Sequence, residues 1–159
     1  MGVSAAGKST FSRALAIKTS LPVTFMDSIM WKPNWVHLTE EEGSREVEKI
    51  ALNTEWIIEG YVPKPARHLV FENADTIIYL DYPRLVATTR YIKRWWVHRK
   101  NPRPEIEGCP EKFSFSFLKL VWEKGEAVSL RKSLAEVKDQ SKILKLKSSK
   151  AADAFLETL

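Results

Sequence analysis

Two glycines separated by four residues, with a lysine and a serine directly after the second, constrain this chain more than any other feature. The segment Gly2-Val-Ser-Ala-Ala-Gly7-Lys8-Ser9 reads G-x-x-x-x-G-K-[ST]. Such a run curls its backbone N–H groups around an anion, because glycines permit close approach and the helix that follows aims its positive end inward. Gly2, Ala5, Ala6 and Gly7 form the cradle. Lys8 adds a full charge near the β- and γ-phosphates of a nucleotide, the Ser9 hydroxyl is a ligand for Mg2+, and Thr10 is placed for the α-phosphate. A chance Gly/Ser/Ala turn before a helix would share the pattern. A phosphate loop ordinarily follows a buried strand, yet only Met1 precedes Gly2. Missing that strand leaves unpaired backbone in the core. The expectation is an N-terminal truncation, with another segment filling the gap as the alternative.

Downstream, short β-rich runs alternate with helical stretches, which predicts an α/β fold with a parallel sheet flanked by helices. Strands are expected over 23–26, 56–59, 76–81 and 143–146. The first three run into Asp27, Glu59 and Asp81, and side chains at the C-terminal ends of such strands face the ligand crevice. A helix over 8–17 carries Phe11, Ala14 and Leu15 at helical spacing. Thr39 and Glu42 form a capping box for a helix reaching about residue 53. A helix from near Pro83 sets Leu85, Thr89, Ile92 and Trp96 on one face. Residues 101–112, with Pro102, Pro104, Gly108 and Pro110, read as an irregular excursion. Residues 113–140 read as helical with a weak point at Gly125, and a last helix from Ser149 packs Ala152, Phe155, Leu156 and Leu159 on the core.

Composition narrows the class. At 159 residues, 44% hydrophobic and 28% charged, the chain has the size and balance of one globular domain, taken as 1–159. No apolar run is long enough to span a membrane, and the start lacks the marks of a signal peptide, so a cytoplasmic location without membrane contact is expected. The lone Cys109 allows neither an internal disulfide nor a cysteine-built metal site. His37, His68 and His98 are scattered. The net charge of +5 is uneven: no acid lies between Asp81 and Glu105, where Arg84, Arg90, Lys93, Arg94, Arg99, Lys100 and Arg103 fall. A second basic stretch runs over 131–150. Such fields draw phosphate-bearing partners, whether nucleotide, nucleic acid or anionic lipid, and a solvated helix face is the plain alternative.

Several motifs together resemble the DNA topology modulation protein (FlaR-related) family, small proteins similar to adenylate kinase. They are Asp27-x-x-x-Trp31-x-Pro33-x-Trp35, Trp56-Ile-Ile-Glu59-Gly60, and Arg67 followed by Ala74-Asp75-Thr76-Ile-Ile-Tyr-Leu80-Asp81-Tyr-Pro83-Arg84. Arg103-Pro104 with Gly108-Cys109-Pro110-Glu111 completes the set. The chain departs from that family's pattern at Ala5, where glycine is usual, at Tyr61, where Asn is common, and in the missing first strand. The resemblance implies a P-loop NTPase fold of nucleoside-monophosphate-kinase type, with five parallel strands in order 2-3-1-4-5 and the missing strand at the centre. It also implies an ATP- and Mg2+-dependent kinase, monomeric, with residues 95–112 as its lid.

Under that resemblance Arg90 and Arg94, four apart on one helix face, clamp the transferring phosphoryl group, with a solvent-facing basic helix as the alternative. Arg99 and Arg103 close over the nucleotide. Glu59 holds Mg2+ through water, and Asp27 orients or deprotonates an acceptor hydroxyl or else caps a turn. Trp31 and Trp35 stack on a base or sugar or pack in the core, and Arg67 meets an acceptor phosphate or carboxylate. Asp81 reads as a turn residue and Cys109 as part of the lid turn. The catalytic set is thus Lys8, Asp27, Arg90 and Arg94, with Arg90 also touching nucleotide, and the acceptor set Asp27, Trp31, Glu59 and Arg67. A second reading, suggested by the family's name, is a nucleotide-binding regulator touching DNA non-specifically. No DNA-reading motif accompanies it.

Overall fold

In the computed structural model, which describes residues 1–100, 103–106, 108–123 and 125–159, short β-branched runs form short strands between longer helices. In chain order these are α1 (Lys8–Thr19), β1 (Val23–Phe25), α2 (Met26–Met30), β2 (Trp31–Lys32), β3 (Val36–His37), α3 (Glu40–Ala51), β4 (Ile57–Glu59) and α4 (Lys64–Asn73). Then come β5 (Ile77–Leu80), α5 (Arg84–His98), α6 (Phe115–Trp122), α7 (Gly125–Ala135), β6 (Ile143–Leu146) and α8 (Ser149–Glu157). Strand β1 pairs in parallel with β4 and β5 in parallel with β6, while β2 and β3 form a small antiparallel hairpin.

Among the described residues the parallel strands form two separate pairs, β1 with β4 and β5 with β6, and no ladder joins the pairs. The edge of β5 is met by the residues just before the loop: Leu80 N donates to Met1 O at 2.9 Å, the Met1 amino group donates to Ile78 O at 2.6 Å, and Gly2 bridges Leu80. Among the described residues no such pairing joins this segment to β4. Met26 starts α2 instead of ending β1, so Asp27 stands in the first turn of a helix.

Two hydrophobic clusters hold the layers. Met26, Met30, Val47, Val70, Phe71, Ile77 and Tyr79 join β5 to α2, α3 and α4. Ala6, Phe11, Leu80, Tyr82, Leu146 and Ala152 join the loop and α1 to β6 and α8, so the cradle's own Ala6 is a core residue. Thr39 and Glu42 form the expected capping box: Thr39 Oγ1 accepts from Glu42 N at 3.2 Å and Thr39 N donates to Glu42 Oε2 at 2.9 Å. The C-terminal helix packs Ala152, Phe155 and Leu156 inward, while Leu159 is exposed.

The helical stretch expected over 113–140 divides at its weak point beside Gly125 and stops short of 140. Helix α6 ends at Trp122, Glu123 is extended (φ −72°, ψ 152°), and α7 runs only to Ala135. Helix α5 buries Ala87 and Tyr91, and the stripe of Leu85, Thr89, Ile92 and Trp96 faces outward, Trp96 being 61% exposed. The i, i+4 spacing is therefore real, but it marks the face away from the core. Among the described residues no helix is long and apolar enough to cross a membrane.

Candidate functional site

The loop from Gly2 to Ser9 lines a cavity of about 1410 Å³ that also reaches Asp27, Glu59, Arg67, Arg90 and Arg94. Gly7 caps α1 with φ 90°, a left-handed value that suits glycine, and a Cβ there would lie 2.7 Å from Arg90 Nη1. Gly7 supplies no side-chain cap and the first turn of α1 holds no acid. The first N–H groups of a helix lack intrahelical partners, so this turn is open to an anion. Ala5 also sits in the left-handed region, at φ 60°, which costs an alanine roughly 1–2 kcal/mol. Ala5→Gly is expected to hold or raise stability, by up to about 1 kcal/mol once the freer unfolded chain is counted. A denaturant melt that shows a loss instead would contradict strain at this position.

The loop's charged neighbours are folded onto it. Lys8 Nζ donates to Val3 O at 3.0 Å. Arg90 reaches from α5 to Ala6 O and donates to Ser149 Oγ at 2.8 Å, with its guanidinium 5.1 Å from the centre of the Tyr82 ring. The Ser9 hydroxyl donates to Glu59 Oε2 at 3.2 Å. Thr10 is exposed beside them.

Glu59 is 6% exposed. Burial pushes its carboxyl above the usual carboxylate range; Lys8 and the Ser9 hydroxyl oppose this, and Asp27 adds to it. A raised native pKa means that the folded protein keeps the proton after the unfolded chain has released it. Stability from this group is full below the ordinary value of about 4.3 and declines as pH climbs through it toward the raised one. Glu59→Gln is therefore expected to melt above the parent protein at about pH 7, with the difference shrinking toward about pH 4. Equal differences at both would remove the titration of Glu59 as the cause.

Arg94 lies deeper than a solvent-facing basic helix would place it. Its Nε is 3.2 Å from Glu111 Oε1, and Arg103 Nε is 2.7 Å from the same oxygen, neither contact being aligned as a hydrogen bond. Arg103 also lies 3.5 Å from Asp27. The excursion is thus tied down: Glu105 pairs with Arg13 of α1, Trp35 Nε1 donates to Pro110 O at 3.2 Å, and Asn34 N donates to Gly108 O at 3.0 Å. Gly108 has φ 73°, and a Cβ there would come within 2.8 Å of Pro33 Cβ. Cys109 is buried and its Sγ donates to Lys32 O. Asn101 and Pro102, in the middle of the expected lid, lie outside the described residues.

On the far wall, Arg67 donates to Ser133 Oγ at 2.7 Å and to Val62 O at 3.2 Å, and its buried Nε has no partner among the described residues. Trp31 and Trp35 meet edge to face, 5.4 Å between ring centres, beside the cavity. Asp81 accepts from Tyr79 Oη at 3.1 Å and from Arg131. The residues missed in the sequence are Glu126, whose carboxylate takes two bonds from Ser4 N at 3.0 Å and one from Ser4 Oγ, and Ser149, which meets Arg90. Neither position carries a pattern that points to the loop.

No protein-family model matches the chain, and no curated protein matches it. Among solved structures, the crystal structure of a gluconokinase from Sinorhizobium meliloti 1021 matches it with a TM-score of 0.54, at 16% sequence identity, over 99% of this chain and 89% of that one. At that identity the likeness is one of fold: this chain shares the α/β architecture of that kinase.

Proposed function

We propose that this chain is an ATP-dependent phosphotransferase of adenylate-kinase type that moves the γ-phosphoryl group of ATP to a nucleotide or another small molecule. The observation that carries the reading is the open first turn of α1, with Lys8, Ser9 and Arg90 at one cavity and Asp27, Glu59 and Arg67 across it. The fold shared with a gluconokinase supports it.

The residues fit Mg2+ as a partner of the nucleotide. Among the described residues no group of three or more His, Cys, Asp or Glu could hold a metal alone. Mg2+ does not need one, because it keeps several waters and leans on one or two protein oxygens and on phosphate. Ser9 Oγ and Glu59, 3.2 Å apart, would supply those oxygens. Bound there, Mg2+ neutralises charge on the phosphates.

Lys8 and the first-turn N–H groups of α1 hold the donor phosphates, and Arg90 and Arg94 face the charge that develops on transfer. The acceptor oxygen forms a bond to the γ-phosphorus as the bond from phosphorus to the β-bridging oxygen breaks, and ADP leaves. Where the acceptor atom is a hydroxyl oxygen, Asp27 accepts its proton; where it is a phosphate oxygen, no proton moves. Arg67 holds an anionic group of the acceptor, and Trp31 packs on its body. The test is transfer of label from γ-labelled ATP to a panel of nucleoside monophosphates and sugar acids, gluconate included. Label in an organic product supports the reading, and label released only at the background rate across the panel contradicts it.

A further inference from the structure

The phosphate loop already holds an anion of the chain's own. Glu126 lies in the first turn of α7, and its carboxylate accepts from Ser4 N through both oxygens and from Ser4 Oγ, all at 3.0 Å. A backbone N–H turned toward a carboxylate is turned equally well toward a phosphate oxygen, because both are compact anions that take charge-assisted hydrogen bonds. The contact joins residues 122 apart in sequence, so tertiary packing, not local turn geometry, brings it about.

We propose that Glu126 is an anionic gate on the phosphate loop: its carboxylate holds Ser4 in the nucleotide-free protein and leaves when the polyphosphate chain of a nucleoside triphosphate enters. This rests on the loop being the ATP site. A carboxylate and a phosphate cannot share the place, since like charges at that separation repel. The apparent affinity is therefore the intrinsic affinity multiplied by the fraction of molecules in which the gate is open. Helix α7 also carries Ser133, the partner of Arg67 on the far wall. Release of Glu126 frees the helix that ties Arg67 down, so donor loading loosens the acceptor side.

The test compares the parent chain with Glu126→Ala and Glu126→Gln, titrated with inorganic pyrophosphate and with Mg·ATP. A ligand-free melt serves as the control for folding. The expected result is about tenfold tighter binding of both probes by Glu126→Ala, the loss of one charge-assisted anchor, and a smaller gain for Glu126→Gln. The gain persists at about 1 M salt, where screening acts beyond about 3 Å and a direct contact survives it. Amide exchange near Ser133 rises in the parent when pyrophosphate is added and starts high in Glu126→Ala.

A gain that vanishes in high salt would mean repulsion from a distance and would overturn the gate. Equal affinity in all three proteins would overturn it while leaving the loop as the ATP site. Pyrophosphate and ATP binding to none of them would overturn both.

Discussion

Replacing Lys8 with alanine is expected to lower phosphoryl transfer by about two to three orders of magnitude, the usual effect of removing one group aimed at developing charge. Among the described residues the Lys8 ammonium makes one hydrogen bond, to Val3 O, so the fold loses little with it. Its charge is held beside the loop, where a phosphate would replace the carbonyl as its partner. The melt of the ligand-free variant should stay near that of the parent, while label transfer from ATP falls and Mg·ATP binds more weakly. Transfer that continues at the parent rate in a folded Lys8→Ala protein would contradict the assignment of the loop.

The second large effect concerns stability. Glu111 has a side chain 5% exposed and stands between Arg94 and Arg103, whose side chains are 22% and 12% exposed. Burial works against the charge on Arg94, and Glu111 works for it. Glu111→Ala leaves two guanidinium groups facing one another with half their counter-charge gone. Breaking a buried pair by removing one partner costs ~3–5 kcal/mol, and the lower end applies because Asp27 still meets Arg103. For a chain of this size ~3 kcal/mol lowers the melting midpoint by roughly 6–12 °C. Glu111→Gln, which keeps the shape without the charge, should fall between. A midpoint unmoved in both variants would show that the cluster contributes no net stability.

The local chemistry of this chain was legible where a residue acts on its own neighbours. Thr39 and Glu42 announce a capping box three positions apart, and the β-rich run 143–146 is β6 residue for residue. Helix α4 was hidden by Pro63 and Pro65, which ordinarily read as breakers, yet sit at its cap and in its first turn, where a missing N–H does no harm. The hairpin around Asn34 and Trp35 depends on two successive left-handed residues, and a tryptophan gives no sign of adopting one. The outward face of α5 was illegible for another reason. Its two sides both carry apolar residues, and only the partners Ala87 and Tyr91 find in the core decide which side turns in.

Long-range contacts mark the other limit. Glu126 reaches Ser4 of the loop, and Ser149 reaches Arg90, only because α7 and α8 fold back beside them. The pairing of Met1 and Gly2 with β5 is likewise a contact between segments far apart in sequence. The charge pattern did mark the region that matters: Arg90, Arg94 and Arg103, from the run without acids, meet the loop, Glu111 and Asp27. It could not say that acids from elsewhere would come to neutralise them.

Whether the loop from Gly2 to Ser9 holds the phosphates of ATP is decided by a thermal melt of the parent chain with and without Mg·ATP. A ligand that binds only the native state raises the midpoint by mass action, about 2.7 kcal/mol of stabilisation at a hundredfold excess over the dissociation constant. A cooperative transition is expected to move upward with Mg·ATP in the parent chain and to move much less in Lys8→Ala. A cooperative transition in the parent that Mg·ATP leaves where it was would contradict that role for the loop.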